Sequence, residues 1–168
     1  MVGLFGFKKK KSGPTTELTA PVNGNLISLS KVQDAVFSGG AMGKGLGIEP
    51  VSGEISAPVA GEISMIAETK HALGIKTADG LDVLLHLGVD TVGLNGKPFE
   101  VYVKKGQQVK AGQKLMAMDL AAVKAAGLPT TVILVITNSA DQAIELQPIA
   151  EQQVSVGQSV ATLIHEKE

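Results

Sequence analysis

Apolar and polar residues alternate with a period of two in several short stretches of this chain, most clearly in Leu81–Leu87. Leu81, Val83, Leu85 and Leu87 alternate with Asp82, Leu84 and His86. This is the pattern of a strand with one buried face, and it sets His86 on the face opposite the most apolar residues. The preceding stretch, residues 68–77, can pair back across Asp79-Gly80, a hairpin signal. In a symmetric two-residue loop Ala78 faces Leu81, so His86 faces Leu73 and His71 faces Gly88. Thr69, His71 and Leu73 then share the face of His86, and the two histidines are diagonal neighbours roughly 7 Å apart or less at Cβ. A four-residue loop keeps that register, whereas a three-residue loop moves His71 to the other face.

Further strands are predicted at 46–49, 99–103, 115–119, 131–137 and 160–164. Residues 131–136 form a continuous β-branched and apolar run, as expected of a strand buried on both faces. Helix is scarce. Asp119 as an N-cap, good helix formers after it and Gly127 at the end predict one short helix, and residues 141–145 add a turn. Two echoes run through the chain: Ala20–Leu26 recurs as Ala57–Ile63, and Gln107–Leu115 recurs as Gln152–Val160. Two copies of each element imply pseudo-symmetry and not a solenoid, which needs three or more repeats. The expected fold is all-β, an antiparallel β-sandwich or barrel with internal pseudo-symmetry and one or two short helices.

Composition narrows this picture. The chain has 168 residues, enough for one domain with a core, and 44% hydrophobic against 18% charged residues fits an ordered globular protein. Aromatic residues are only 3%, so Val, Ile, Leu and Ala must build the core. A net charge of -1 gives no reason to expect nucleic acid. With no cysteine there is no disulfide framework or thiolate metal site, which suits the cytoplasm. Residues 1–17 are assigned to a flexible basic tail and 18–168 to the domain. The tail opens Met1-Val2-Gly3-Leu4-Phe5-Gly6-Phe7 and continues with four lysines, too short to span a membrane. An apolar tip beside a basic patch suits weak contact with the anionic inner membrane surface, and a solvated tail is the alternative.

Several motifs compete for the chemistry. Gly39–Gly45 looks like a phosphate loop, but that motif needs Ser or Thr after the lysine, and Gly45 follows Lys44. His86 and Asp90 supply the H-x-x-x-D of zinc peptidases of the lysostaphin type, yet the downstream H-x-H is missing and catalytic zinc takes three protein ligands. Biotinyl and lipoyl carrier domains share the G-Q-x-[LV] segments but present a lysine between methionines, where this chain reads Met116-Ala117-Met118. His165, in the polar terminal stretch, is expected to be solvated. His71 and His86 with Thr69 beside them leave three readings open: a phosphoryl acceptor with a helper, two metal ligands, or chance neighbours.

Residues 80–92, Gly-Leu-Asp-Val-Leu-Leu-His-Leu-Gly-Val-Asp-Thr-Val, closely resemble the active-site signature of the glucose-type enzyme IIA family of the bacterial sugar phosphotransferase system. Glu68–Ala72 resembles the segment with that family's second histidine. Asp34–Phe37 and Met42–Gly45 resemble its partner-binding loop, and the resemblance runs from about residue 18 to the end. Leu73 and Leu84 stand where Phe is common.

The resemblance implies that His86 takes a phosphoryl group on Nε2 from the histidine-containing phosphocarrier protein and passes it to a cysteine of the enzyme IIB domain of a sugar permease. His71 and Thr69 would assist. No cofactor is required, although zinc can bind His71 and His86 in a partner complex, and in free-standing members the phosphorylation state also regulates uptake and metabolic proteins. The residues agree with this chemistry. A histidine nucleophile must be neutral at the attacking nitrogen, and the Gly88 carbonyl, just past the strand, suits the other ring nitrogen. His71 can donate to the charged product and Thr69 can orient His71. Val36, Phe37, Met42, Leu73, Leu84 and Val92 are expected to line an apolar docking depression, with Asp34 and Asp90 at its rim.

Overall fold

The computed structural model describes residues 13–166. Its two larger repeats are interleaved. The first runs through β1 (Thr15–Thr19), β2 (Gly24–Ser28) and β3 (Lys44–Pro50), breaks off, and resumes with β11 (Val132–Ile136), β12 (Ile144–Pro148), β13 (Gln153–Val154) and β14 (Ser159–His165). The second lies whole between them: β4 (Glu54–Ser56), β5 (Gly61–Ile66), β6 (Ala72–Lys76), β7 (Asp82–Leu87), β8 (Phe99–Val101), β9 (Gln108–Val109) and β10 (Lys114–Met118). Helices α1 (Ala35–Ser38) and α2 (Leu120–Ala125) and two 3-10 turns complete the described residues. The predicted helix after Asp119 is α2, capped by the Asp119 carboxylate, which accepts from the Ala122 N–H. The short α1 has no counterpart among the elements predicted from the sequence.

The strands form one eight-stranded antiparallel sheet, ordered β13-β2-β3-β11-β7-β6-β5-β9, and two three-stranded sheets, β1-β14-β12 and β4-β10-β8. Each order maps onto its counterpart when the repeats are exchanged. The sequence echoes make matching bonds: Ala20 and Ala57 donate to Gln158 and Gln113, both at 2.8 Å, and Leu26 and Ile63 donate to Gln152 and Gln107, both at 2.8 Å. Thr19 N–H donates to Pro58 and Ser56 N–H to Pro21, a reciprocal pair across the repeats. In the central pair Val83 corresponds to Val132, so the pseudo-twofold axis passes between the partnered Leu85 and Leu134.

Inward side chains of all three sheets share one core, among them Leu18, Ile48, Ile55, Leu73, Leu85, Leu115 and Leu134. A second, smaller cluster covers the outer face at the middle of the large sheet: Val32, Phe37, Val89, Ile133 and Val135, with Met42 and Leu84 against it. Strand β11 is therefore buried on both faces, as its uninterrupted apolar run requires. The outer cluster exists because residues 29–43, between β2 and β3, fold back over the sheet and bring Phe37 with them.

Four sequence expectations need correction. The β6–β7 turn has three residues, Ala78-Asp79-Gly80, since Lys76 pairs with Asp82 and Thr77 N–H donates to Leu81. Gly80 takes a φ of 89°, and the Thr77 hydroxyl accepts from Leu81 N–H, which favours the longer loop. His86 accordingly faces Ala72, while Leu73 pairs with Leu85 and points into the core. His165 is not a free solvated ring: its side chain is 17% exposed, and Nε2 donates to Asp79 at 2.8 Å. Strand β1 begins at Thr15, inside the stretch assigned to the tail, while residues 1–12 and their suggested membrane contact lie outside the described residues.

Leu134 on the axis is fully buried. Replacing it by Ala removes packing from both halves at once, and a loss of about 2–5 kcal/mol is expected in urea unfolding. A loss below about 1 kcal/mol would mean that the two halves do not share this core.

Candidate active site

His86 projects from β7 onto the outer face, next to the small Ala72. Its Nδ1 lies 2.8 Å from the Gly88 carbonyl oxygen, which can only accept, so Nδ1 carries the proton. In the neutral ring the lone pair is then on Nε2. Two residues separate donor and acceptor, so the strand must reverse at once. Gly88 achieves this at φ 79°, and Asp90 follows at φ 62°. An added Cβ at Gly88 would sit 2.5 Å from Thr91 Cγ2 and 3.0 Å from the Pro129 oxygen. The fully buried Thr91 hydroxyl donates to Leu87 O at 2.6 Å, while Gly88 N–H donates to Thr131 O at 2.8 Å and Val89 N–H to Pro129 O at 3.1 Å. Both peptide groups flanking Gly88 are thus tied down.

His71 reaches the same place by another route. In the observed register it would fall on the face opposite His86 had β6 extended to it. It lies instead in the β5–β6 turn, where Lys70 adopts φ 61° and Ala67 N–H closes onto Ala72 O at 2.9 Å. Freed from the alternation of the sheet, the ring stands edge-on to His86, centroids 5.1 Å apart and planes at 79°. Thr69 Oγ1 lies 2.7 Å from its Nδ1. When the hydroxyl donates there, the neutral His71 ring presents Nε2–H. Phe37 lies on the other side of His86, with centroids 5.0 Å apart.

Burial lowers the pKa of both rings below the ordinary histidine value of 6.5. For His86, burial is the largest cause. The Gly88 bond opposes it, the neighbouring His71 lowers the value further, and Asp34 and Asp90 raise it. The net direction keeps a nucleophilic lone pair available at neutral pH.

Phe37 belongs to the outer apolar cluster with half-buried Met42 and Leu84 packed against it, while Val36 in α1 and Val92 in the turn after Asp90 are each 53% exposed. Asp34 caps α1, its carboxylate accepting from Val36 N–H at 3.0 Å. Phe37, Met42 and Leu84 thus lie in the apolar cluster beside His86, and Asp34 and Asp90 are near enough to act on its charge, whereas Leu73 is buried in the core. Among the described residues no cluster of three or more His, Cys, Asp or Glu side chains is placed to hold a metal ion. The His71–His86 pair fits only half of a tetrahedral site, so a zinc ion there would need ligands from a second molecule. Met116 and Met118 lie buried within β10 and not at a hairpin tip, which removes the likeness to a prosthetic-group carrier.

Ring titrations by NMR are expected to place both midpoints below 6.5. A depressed folded-state pKa means that protons favour the unfolded chain. The stability present above the unfolded value is therefore lost as the pH falls through 6.5 and then through the folded midpoints. A midpoint above 6.5 for His86 would contradict the dominance of burial.

Comparison with known proteins gives a consistent answer. Residues 16–142 match the family described as phosphoenolpyruvate-dependent sugar phosphotransferase system, EIIA 1. The glucose-specific EIIA component of Bacillus cereus is 41% identical over 136 residues, 81% of either chain, and that of Oceanobacillus iheyensis 35% identical over 156 residues, 93% of either chain. The glucose-specific EIICBA component of Streptococcus pneumoniae is 48% identical over 124 residues, 74% of this chain. The chain spans only 17% of that relative's length. The solved glucose permease IIA from Mycoplasma capricolum superposes with a TM-score of 0.81 at 37% identity, over 89% of this chain and 96% of that one. The chain belongs to the glucose-type enzyme IIA family, the phosphocarrier components of the phosphoenolpyruvate-dependent sugar phosphotransferase system.

Proposed function

We propose that this chain carries a phosphoryl group on His86 Nε2 between the histidine-containing phosphocarrier protein and a cysteine of an enzyme IIB domain. One observation carries the reading: two imidazoles meet at 5.1 Å with each Nδ1 already engaged, by Gly88 and by Thr69, leaving the Nε2 atoms for chemistry. Fused relatives support the enzyme IIB partner, since the Streptococcus pneumoniae protein is named as an EIICBA component. Relatives named for glucose and for beta-glucosides share this domain, which suggests that the permease partner selects the sugar.

In the first half-reaction the Nε2 lone pair forms the new N–P bond while the donor's N–P bond breaks and its electron pair returns to the donor nitrogen. In the second, a thiolate attacks phosphorus and the pair returns to His86 Nε2. Nδ1 keeps its proton on Gly88 throughout, so no proton moves on this ring. The bound phosphoryl group carries roughly two negative charges. His71 Nε2–H donates to it, and the Thr69 hydroxyl holds the tautomer that allows this. Such transfers depend on positioning and charge stabilisation more than on further covalent help. Val36, Val92 and the flanking apolar side chains give a partner a dry surface, and Asp34 and Asp90 suit basic residues around it.

A zinc ion, which His71 and His86 would hold together with ligands from a second molecule and which would tie the two proteins together, and binding to regulatory targets through the same face extend the proposal. The proposed place of action is the cytoplasm, with the lysine-rich terminus offering contact to anionic membrane. No helix of the described residues is long and apolar enough to cross a membrane.

Incubation with phosphoenolpyruvate, enzyme I and the phosphocarrier protein is expected to give an acid-labile adduct that His86→Ala abolishes. His71→Gln should still accept the group, while its transfer to enzyme IIB falls by roughly a hundredfold, as for loss of one positioned donor. Unchanged onward transfer in that variant would remove the role assigned to His71.

A further inference from the structure

The acceptor of the His86 proton is a peptide group that is itself held from behind. Gly88 C=O and Val89 N–H belong to one peptide unit, and its N–H donates to the Pro129 carbonyl at 3.1 Å. The preceding unit donates through Gly88 N–H to the Thr131 carbonyl at 2.8 Å. Residues 129–131, just ahead of β11, therefore set where the Gly88 oxygen stands. They are loop residues leading out of α2, and something must fix them.

Register identifies what does. Val132 pairs with Ile48 on one side and with Leu87 on the other, so Glu49, Thr131 and Gly88 form the next row across the sheet. Alternation puts the side chains of Glu49 and Thr131 on the outer face, the face of His86. There the Thr131 hydroxyl, 1% exposed as a residue, donates to both oxygens of the Glu49 carboxylate at 2.9 Å. A hydrogen bond to a charged acceptor is stronger than a neutral one. Hydrogen-bonded peptide groups in series also polarise one another, so a displacement of residues 129–131 is felt at the Gly88 oxygen.

We propose that Glu49 and Thr131 are a positioning pair for phosphoryl transfer: they anchor residues 129–131 against the Gly88 turn and thereby hold His86 in the Nδ1–H tautomer. Neither side chain touches the reacting atoms. The pair rests on the reading of His86 as the phosphoryl acceptor, but its most direct readout, the ring tautomer, does not depend on transfer. No feature of the local motif around His86 points to Glu49, which lies far upstream on a strand of the other repeat.

The test uses the full chain labelled with 15N and compares the His86 ring shifts of the wild type with those of Thr131→Val and Glu49→Ala. Each variant is expected to raise the share of the Nε2–H tautomer at least about fivefold, the ratio that weakening one ordinary hydrogen bond carries. Thr131→Ser should restore the wild-type shifts, and the double variant should go no further than either single one, since both act through one bond. Phosphoryl acceptance should fall in step with the Nδ1–H tautomer. Unchanged ring shifts in Glu49→Ala, or additive effects in the double variant, would overturn the pairing, and Glu49→Ala decides the matter even if Thr131→Val does not fold. A wild-type chain with the expected tautomer that accepts no phosphoryl group would instead overturn the proposed function.

Discussion

The hydrogen bond from His86 Nδ1 to the Gly88 carbonyl, 2.8 Å long, is the constraint on which the rest of the site depends. It fixes which nitrogen carries the proton, and so which one can attack. It can form only if the chain reverses two residues after the histidine, which demands the positive φ of Gly88. The reversal is stabilised by bonds that involve neither histidine ring: Thr91 to Leu87, Gly88 to Thr131 and Val89 to Pro129. A ring held at one nitrogen by the backbone loses little freedom on reaction, which is the kind of preorganisation that transfer between two proteins needs.

The pseudo-symmetric architecture explains why the site sits where it does. The axis passes between Leu85 and Leu134, and His86 is the next residue along β7. Both hairpin connections of the repeats, residues 29–43 and 67–71, lie at this centre. The long one brings Phe37 and the apolar cover, and the short one brings His71 and Thr69. A symmetric scaffold thus carries an asymmetric site because the two connections differ in length. The position equivalent to His86 in the other repeat is Val135, which is buried in the outer cluster. Chemistry occupies one half and docking surface comes largely from the other.

Much of this was legible in the sequence, for identifiable reasons. The alternation in residues 81–87 placed His86 on the face opposite the core, and the Ala-Pro-Val and G-Q echoes announced the pseudo-symmetry. The resemblance of residues 80–92 pointed to the family. The turn count was not legible: a two-residue loop at Asp79-Gly80 was expected, and Thr77 with Gly80 supports a three-residue one. That difference should have sent the histidines to opposite faces. They converge because His71 lies in a turn with Lys70 in the left-handed region, a conformation that nothing in a lysine announces. The same register turns Leu73 into the core. The bracing of Gly88 by residues 129–131, and of these by Glu49, is long-range pairing, which local pattern does not encode.

The most direct measurement is the identity of the phosphorylated nitrogen, read from 15N–31P coupling in the phosphorylated, histidine-labelled chain. The expected result is a single N–P bond at Nε2 of His86, with a proton still on Nδ1. A phosphoryl group on Nδ1 of that ring, or on His71, would contradict the account at its base.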